Sequence, residues 1–212
     1  MGAWINQRNE LLGKAVIANL AKRNMEGYYC ATKEEALQKA LELIPETDLV
    51  TWGGSVSIDE IGLLDAMKAR NPVLDRDTCA TMEEKVELMR KGLTCDTFLM
   101  STNAMSEDGV LVNIDGNGNR VASLIFGPKQ VVIIAGINKV AKDLDSAIAR
   151  ARGTAAPVNA QRFDGIRVPC AKTGVCSNCN SPDCMCCQVV ITRHSRHAGR
   201  IKVILVGENL GF

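Results

Sequence analysis

The chain has 212 residues, 46% of them apolar, and its 25 basic and 24 acidic side chains leave a formal net charge of +1. This length is typical of one domain with a substantial core, and the near-zero charge excludes a general attraction to nucleic acid or to an anionic membrane surface. No apolar run approaches the ~20 residues that a membrane-spanning helix needs, and residues 1–8 lack the features of a signal peptide. We therefore expect one cytoplasmic domain over residues 1–212, without nucleic-acid or membrane partners.

The first half of the chain alternates between predicted helices and predicted strands. Apolar side chains recur at helical spacing over residues 4–25, and residues 32–35 have the spacing of a capping box at the start of a second helix. The apolar run at 49–52 predicts a buried strand in the centre of a sheet, and residues 57–60 predict another capping box. The other predicted elements of this half are strands at 28–30 and 73–74 and helices at 57–69 and 82–91. Such alternation is typical of a parallel sheet with helices on both faces.

The second half is predicted to contain strands in closer succession. The segment at 115–119, Asp-Gly-Asn-Gly-Asn, is a strong signal for a hairpin between two of them. The alternative is that Asn119 and Arg120 reach a ligand pocket. The predicted elements are strands at 97–101, 110–114, 121–126, 131–135, 189–192 and 201–206, and a helix at 140–152. The predicted fold class is α/β, with a mostly parallel sheet flanked by helices, an added hairpin and a C-terminal cysteine-rich loop at 169–188.

The cysteine-rich loop is the most unusual feature of the sequence. Six of the nine cysteines lie between Cys170 and Cys187, in the spacing Cys-x5-Cys-x2-Cys-x4-Cys-x-Cys-Cys. Thiolates crowded into one loop repel one another, and a soft metal ion or an iron–sulfur cluster removes that cost. Two residues between Cys176 and Cys179 allow both sulfur atoms to reach one centre. In a reducing cytoplasm such a group favours metal ligation, and disulfides or redox-active thiols are the alternatives.

A glycine-rich turn follows the strand predicted at 49–52. Gly53 and Gly54 permit a close approach of the backbone to a ligand. The free N–H groups at the start of the next helix, together with Ser55 and Ser57, favour an anion. The alternative is a plain strand–helix turn in which Ser57 is the N-cap.

Asn138 and Lys139 follow another predicted buried strand, at the sheet edge where open α/β folds bind ligands. Lys139 has the charge to neutralise a carboxylate or a phosphate, or it is a solvated lysine at a helix start. Because the carboxyl ends of parallel strands meet at one edge, we expect Ser55, Ser57 and Glu107 to share a pocket with these two residues. The expected ligand is a small anionic metabolite.

Several short motifs occur in a particular order along the chain. They are GGSVSIDEIG at 53–62, SEDG at 106–109, NIDGNGNR at 113–120, FGPK at 126–129, GINKV at 136–140 and AAPVNA at 155–160, followed by the cysteine loop. This order resembles the lactate-utilization (LUD) domain family, over residues 5–212. The resemblance implies a fold similar to that of CoA transferases and sugar-phosphate isomerases. It also implies a role in the oxidation of L-lactate or related hydroxy acids, often with iron–sulfur partner proteins.

The resemblance further implies roles for individual residues. The cysteines expected to hold a [4Fe–4S] cluster, with zinc as the alternative, are Cys170, Cys176, Cys179 and Cys186. Cys184 is close enough in sequence to replace Cys186. Glu107 lies in a Ser-Glu-Asp-Gly segment similar to the setting of the nucleophilic glutamate in CoA transferases. It is therefore the candidate catalytic residue, with an exposed turn as the alternative.

Three functions are compatible with these patterns. The first is a LUD-type protein that binds an anionic metabolite and an iron–sulfur cluster in hydroxy-acid utilization. The second is a non-redox enzyme of the CoA-transferase or isomerase type that uses Glu107 and holds structural zinc. The third is a non-catalytic assembly subunit whose cysteine loop docks a partner. A homo-oligomer is compatible with each.

Overall fold

Five parallel strands form the main sheet of the computed structural model, which describes residues 2–212. In spatial order they are β1 (Glu26–Cys30), β9 (Ile201–Val206), β6 (Gln130–Gly136), β3 (Thr97–Met100) and β2 (Val50–Trp52). Because all five strands run in one direction, their carboxyl ends lie at one edge of the sheet. No helix among residues 2–212 is both long and apolar enough to cross a membrane.

A smaller sheet of four strands lies beside the main one. In spatial order they are β7 (Val140–Ala141), β4 (Ala104–Ser106), β5 (Leu111–Asp115) and β8 (Gln188–Thr192). Strands β4 and β5 pair antiparallel as a hairpin, and β8 pairs antiparallel with β5 on its other side. The added hairpin is therefore present, but it precedes the segment at 115–119 where the sequence places it.

Helices cover both faces of the main sheet. They are α1 (Ala3–Lys22), α2 (Lys33–Leu43), α3 (Val56–Glu60), α4 (Leu63–Arg70), α5 (Met82–Lys91), α6 (Asn119–Ile125), α7 (Leu144–Arg150), α8 (Ala156–Ala160) and α9 (Pro169–Thr173). Alternate residues of β6 serve the two faces, as the pleat of a strand requires. Ile133 packs in one core cluster with Leu20 of α1, whereas Ile134 packs in the other with Ala40 of α2. The predicted α/β class, with a parallel sheet flanked by helices, is confirmed.

The strand predicted at 121–126 is wrong, because these residues belong mainly to helix α6. The carboxylate of Asp115 accepts hydrogen bonds from the backbone N–H groups of Gly118, Arg120 and Val121. These bonds satisfy backbone N–H donors at the start of α6. Because the residues after Gly118 are helical, they cannot form the second strand of a hairpin. Gly118 has φ 83°, a conformation that glycine adopts without steric cost.

The prediction that residues 49–52 form a central strand is also wrong, because β2 is at the edge of the main sheet. Its residues are nevertheless buried. The segment at 72–74 covers the open edge, since the N–H of Val50 donates to Pro72 O at 2.9 Å and the N–H of Leu74 donates to Val50 O at 2.9 Å. An apolar run therefore predicts that a strand is buried on both faces, but it does not predict whether the strand is central or at the edge of the sheet.

Two helix starts differ from their predicted positions. Ser55 is the N-cap residue of α3, and Ser57 lies within the helix, so the predicted capping box at 57–60 is wrong. The helix predicted from residue 140 begins at Leu144, because Val140 and Ala141 pair with β4 as strand β7. The Asp143 side chain caps it by accepting a hydrogen bond from Ser146 N at 2.8 Å.

The start of α5 provides a test of local stability. Thr81 and Glu84 form a capping box, in which each side chain accepts a hydrogen bond from the backbone N–H of the other residue, both at 3.2 Å. We expect Thr81→Ala to lower the free energy of unfolding by about 1 kcal/mol in urea titration, because an N-terminal donor loses its acceptor. Thr154→Ala, at an exposed helical threonine, is the control and is expected to change it by less than about 0.5 kcal/mol. Equal losses in the two variants would contradict the capping role.

Candidate functional site

A cleft of about 790 Å³ opens at the carboxyl ends of the main-sheet strands. Ser55 and Ser57 reach it from the segment after β2, Ser101 from the end of β3, and Lys139 from the segment after β6. Gly54 also lines it. The structure thus brings together four of the residues selected from the sequence, Gly54, Ser55, Ser57 and Lys139, at the edge where ligands bind in open α/β sheets.

Lys139 is the most deeply buried cation of the cleft, with 3% of its surface exposed. Its Nζ donates hydrogen bonds of 2.9 Å to Ser57 Oγ and to Ser101 Oγ. Burial, with a smaller effect of the cations Arg150 and Arg120, lowers the pKa of Lys139 to about 7, while Glu60 acts in the opposite direction. Lys139 is therefore poised to gain or lose a proton near neutral pH.

Arg120 crosses beneath the cleft and holds its floor together. Its guanidinium donates to Asn113 Oδ1 at 2.7 Å, to Asn103 Oδ1 at 3.1 Å and to the carbonyls of Ser101 and Ile114. Because these acceptors come from two separate segments, the link after β3 and strand β5, Arg120 connects the main sheet to the smaller one. Arg120 lines the cleft, as the alternative interpretation of the segment at 115–120 predicts.

The glycine pair after β2 makes room for two arginines. A Cβ on Gly53 would lie 2.8 Å from Cδ of Arg120, and a Cβ on Gly54 would lie 2.8 Å from Nη2 of Arg76. Gly53 itself is not among the residues that line the cleft. The close passage of the Arg120 stem therefore requires glycine at position 53, whereas the atom nearest to Gly54 is the flexible end of Arg76.

Two buried polar atoms of the cleft residues have no hydrogen-bond partner. They are Ser55 Oγ and Arg76 Nε. Arg76 Nε lies 3.7 Å from Asp77 Oδ1, which is too long for a hydrogen bond. Buried polar groups are normally paired, so a water molecule or ligand that reached these atoms would satisfy them.

Asn138 is placed beside the cleft in a different role from the one predicted. Its Oδ1 accepts a hydrogen bond from Leu210 N at 3.1 Å, and its Nδ2 donates to the carbonyls of Leu210 and Gly211 at 3.4 Å. The amide therefore binds the backbone of the C-terminal segment, whose residues Gly211 and Phe212 line the cleft. Asn138 acts as a positioning residue.

Glu107 is separated from the other predicted site residues. It lies in a second groove, of about 510 Å³, together with residues of α1 such as Trp4 and Leu11. Its carboxylate forms an ion pair of 2.7 Å with Lys142. The expected pocket shared by Glu107, Ser55 and Lys139 is not present.

The cysteine-rich loop forms one wall of the cleft. Cys184, Met185 and Cys187 line it, beside residues of the turn between β5 and α6. Asp183 anchors the loop through a bidentate pair with Arg167, with N–O distances of 2.8 and 2.9 Å. The hydrogen bonds and charge of Arg167 lower the pKa of Asp183 to about 2. The ionised carboxylate of Asp183 therefore links the loop to the segment that precedes it.

The thiols of this loop are free and lie near one another. Partial burial and, to a smaller extent, neighbouring thiols together raise the pKa of Cys186 to about 12; these neighbours are Cys184, Cys176, Cys170 and Cys179. Among residues 2–212, no three His, Cys, Asp or Glu side chains are arranged to hold a metal ion. The loop supplies donors of the soft type in one neighbourhood, and a bound metal centre would have to draw them together.

Several cleft residues were not selected from the sequence: Ser101, Arg76, Arg162, Phe163 and Phe212. Ser101 directly follows β3, so the same strand-end rule would have found it. The other four have no local signal, because helix and loop packing alone brings them to the cleft.

Two solved structures are similar to this chain, and the first of them supports the fold. A DUF162 family protein from Deinococcus radiodurans is 12% identical with a TM-score of 0.52, over 93% of this chain and 98% of that chain. Ribose 5 phosphate isomerase A from Neisseria gonorrhoeae is 17% identical with a TM-score of 0.34, over 54% of this chain and 56% of that chain. No curated protein sequence matches the chain.

A comparison with models of sequence families identifies the family of this chain. The model of the LUD domain matches residues 13–206, which include every strand of the main sheet and the whole cysteine loop. On this match, the chain belongs to the LUD domain family.

Proposed function

We propose that this LUD domain protein binds a small 2-hydroxy acid of the lactate type in the cleft and carries a [4Fe–4S] cluster in the cysteine-rich loop. The observation that carries the proposal is that this loop forms a wall of the same cleft that contains buried Lys139. A redox centre and a metabolite would then be neighbours.

The charges of the cleft support an anionic ligand. Its cationic side chains are Arg76, Lys85, Arg120, Lys139 and Arg162. Its carboxylates are Asp77, Asp115 and Asp183. Asp77 lies 3.7 Å from Arg76 and 3.8 Å from Lys85, Asp115 accepts hydrogen bonds from the backbone of α6, and Asp183 pairs with Arg167. A ligand carboxylate would find a surplus of donors, and charge-assisted hydrogen bonds are the stronger class.

The donor chemistry of the loop supports a cluster. The four cysteines proposed to hold it are Cys170, Cys176, Cys179 and Cys186. Four thiolates complete a [4Fe–4S] centre, which when bound supplies electron transfer. Oxidation of a 2-hydroxy acid releases electrons, so the proposal includes an iron–sulfur redox partner protein and a reducing, cytoplasmic setting for the thiols.

The acyl-transfer alternative lacks a supporting observation. A nucleophilic glutamate must reach the substrate, and Glu107 is paired with Lys142 outside the cleft. Zinc on the same four cysteines is the rival to the cluster, and metal analysis separates the two.

Anion binding is expected to weaken as the pH rises. With a pKa of about 7, Lys139 is mostly an ammonium at pH 6 and mostly a neutral amine at pH 8. If a ligand carboxylate binds the ammonium form, its affinity should fall about tenfold between these pH values. Isothermal titration of the anaerobically prepared protein with L-lactate at pH 6, 7 and 8 measures this.

Matched variants identify the group responsible. Lys139→Met should weaken binding at pH 6 and remove the pH dependence. Lys142→Met is the control, because Lys142 is exposed and lies outside the cleft. Absence of lactate binding at pH 6, or an unchanged pH dependence in Lys139→Met, would contradict the proposed function.

A further inference from the structure

Two of the four phenylalanines of the chain line the cleft. Phe163 follows α8 and has 48% of its surface exposed, and Phe212 is half-buried. Ile166 lies in the same wall. An exposed aromatic ring inside a cleft is available for a ligand, whereas a ring packed in the core is not.

The guanidinium of Arg162 lies near both rings. Its guanidinium carbon is 5.9 Å from the centre of the Phe163 ring and 6.0 Å from the centre of the Phe212 ring. Its Nη1 donates to Asn159 Oδ1 at 3.2 Å, which holds the guanidinium in place. An exposed planar cation with two aromatic rings nearby offers a surface on which another planar group can stack.

This aromatic surface is continuous with the cationic part of the cleft. A Cβ on Gly211 would lie 2.7 Å from Ser57 Oγ and 3.4 Å from Lys139 Nζ, so Phe212 is the immediate neighbour of a residue in contact with Lys139. The volume of about 790 Å³ is in the range of sites that enclose drug-sized ligands and is far larger than lactate.

We propose that the cleft has a second subsite, formed by Arg162, Phe163 and Phe212, which binds a planar ring attached to the 2-hydroxy acid. The substrate class is then a 3-aryl-2-hydroxy acid. The carboxylate lies at the cationic end of the cleft, and the ring stacks at the aromatic end. The inference rests on the proposed function and specifies its ligand.

Titration of the anaerobically prepared protein with three acids at pH 6 tests this. The probes are L-lactate, L-3-phenyllactate and its saturated counterpart L-3-cyclohexyllactate. Burial of the phenyl group is expected to make phenyllactate bind about tenfold or more tightly than lactate. Stacking on Arg162 is expected to make it bind more tightly than cyclohexyllactate as well.

The variant Phe163→Ala should reduce the preference for phenyllactate over lactate at least about threefold. Phe126→Ala is the matched control, since Phe126 is 76% exposed and does not line the cleft. Equal affinities for lactate and phenyllactate would overturn the second subsite and leave the proposed function standing. Equal affinities for phenyllactate and cyclohexyllactate would overturn the planar ring. Binding of none of the three acids would overturn both proposals.

Discussion

Cys176→Ser protein is expected to form no [4Fe–4S] cluster when iron and sulfide are added anaerobically. Cys176 and Cys179 are separated by two residues, which is the shortest spacing among the four proposed ligands. Replacing one of four ligands removes a thiolate that the cluster needs, and metal binding that orders a loop is lost with its ligands. The visible absorption of the reconstituted protein, with its iron and sulfide content, measures the effect.

Two further serine variants serve as controls. Cys79 is half-buried and outside the loop, and Cys187 is within the loop but not among the four proposed ligands. Both variants should take up iron and sulfide as the unmodified chain does. A Cys176→Ser protein that retains the full visible spectrum, or a Cys187→Ser protein that loses it, would show that the ligand set is different.

Replacing Arg120 by methionine should lower the free energy of unfolding by about 3 kcal/mol. Methionine keeps the unbranched stem beside Gly53 and removes the guanidinium. The loss leaves Asn103 Oδ1 and the carbonyls of Ser101 and Ile114 without this donor in a setting where the arginine side chain is only 13% exposed. Unsatisfied buried acceptors are destabilising.

Urea titration followed by circular dichroism measures this loss. Arg196→Met, at an exposed arginine, is the control and should change the free energy of unfolding by less than about 0.5 kcal/mol. A loss below about 1 kcal/mol in Arg120→Met would mean that the guanidinium does not hold the floor of the cleft.

Much of the fold is predictable because its strongest signals are local. The apolar run at 131–135 gives β6, whose seven residues are all buried, and the strand–helix alternation gives the parallel sheet. The edge position of β2 is not predictable in this way. Its burial depends on the segment at 72–74, which reaches it through tertiary packing.

The segment at 115–119 shows how one local pattern permits two structures. Asp or Asn in alternation with Gly favours a tight hairpin, but an aspartate before a glycine can equally accept hydrogen bonds from the first backbone N–H groups of a helix. The balance is decided by β8, which comes from the far end of the chain and pairs with β5 up to Asp115. Because β8 is distant from β5 in the sequence, local patterns do not predict this pairing, and they predict a strand where α6 lies.

For the cleft, the strand-end rule selected residues correctly where the strand belongs to the main sheet. Ser55, Ser57 and Lys139 follow such strands and line the cleft. Glu107 follows β4 of the smaller sheet, whose end lies elsewhere, and this is why it is found in another groove. Asn138 follows a main-sheet strand, but the segment around Leu210 takes up its hydrogen bonds.

The iron and acid-labile sulfide content of the protein, purified under strictly anaerobic conditions, tests the central claim most directly. We predict about four iron atoms and about four sulfides per chain, without stoichiometric zinc. A protein that carries one zinc ion per chain and neither iron nor sulfide would contradict the iron–sulfur assignment.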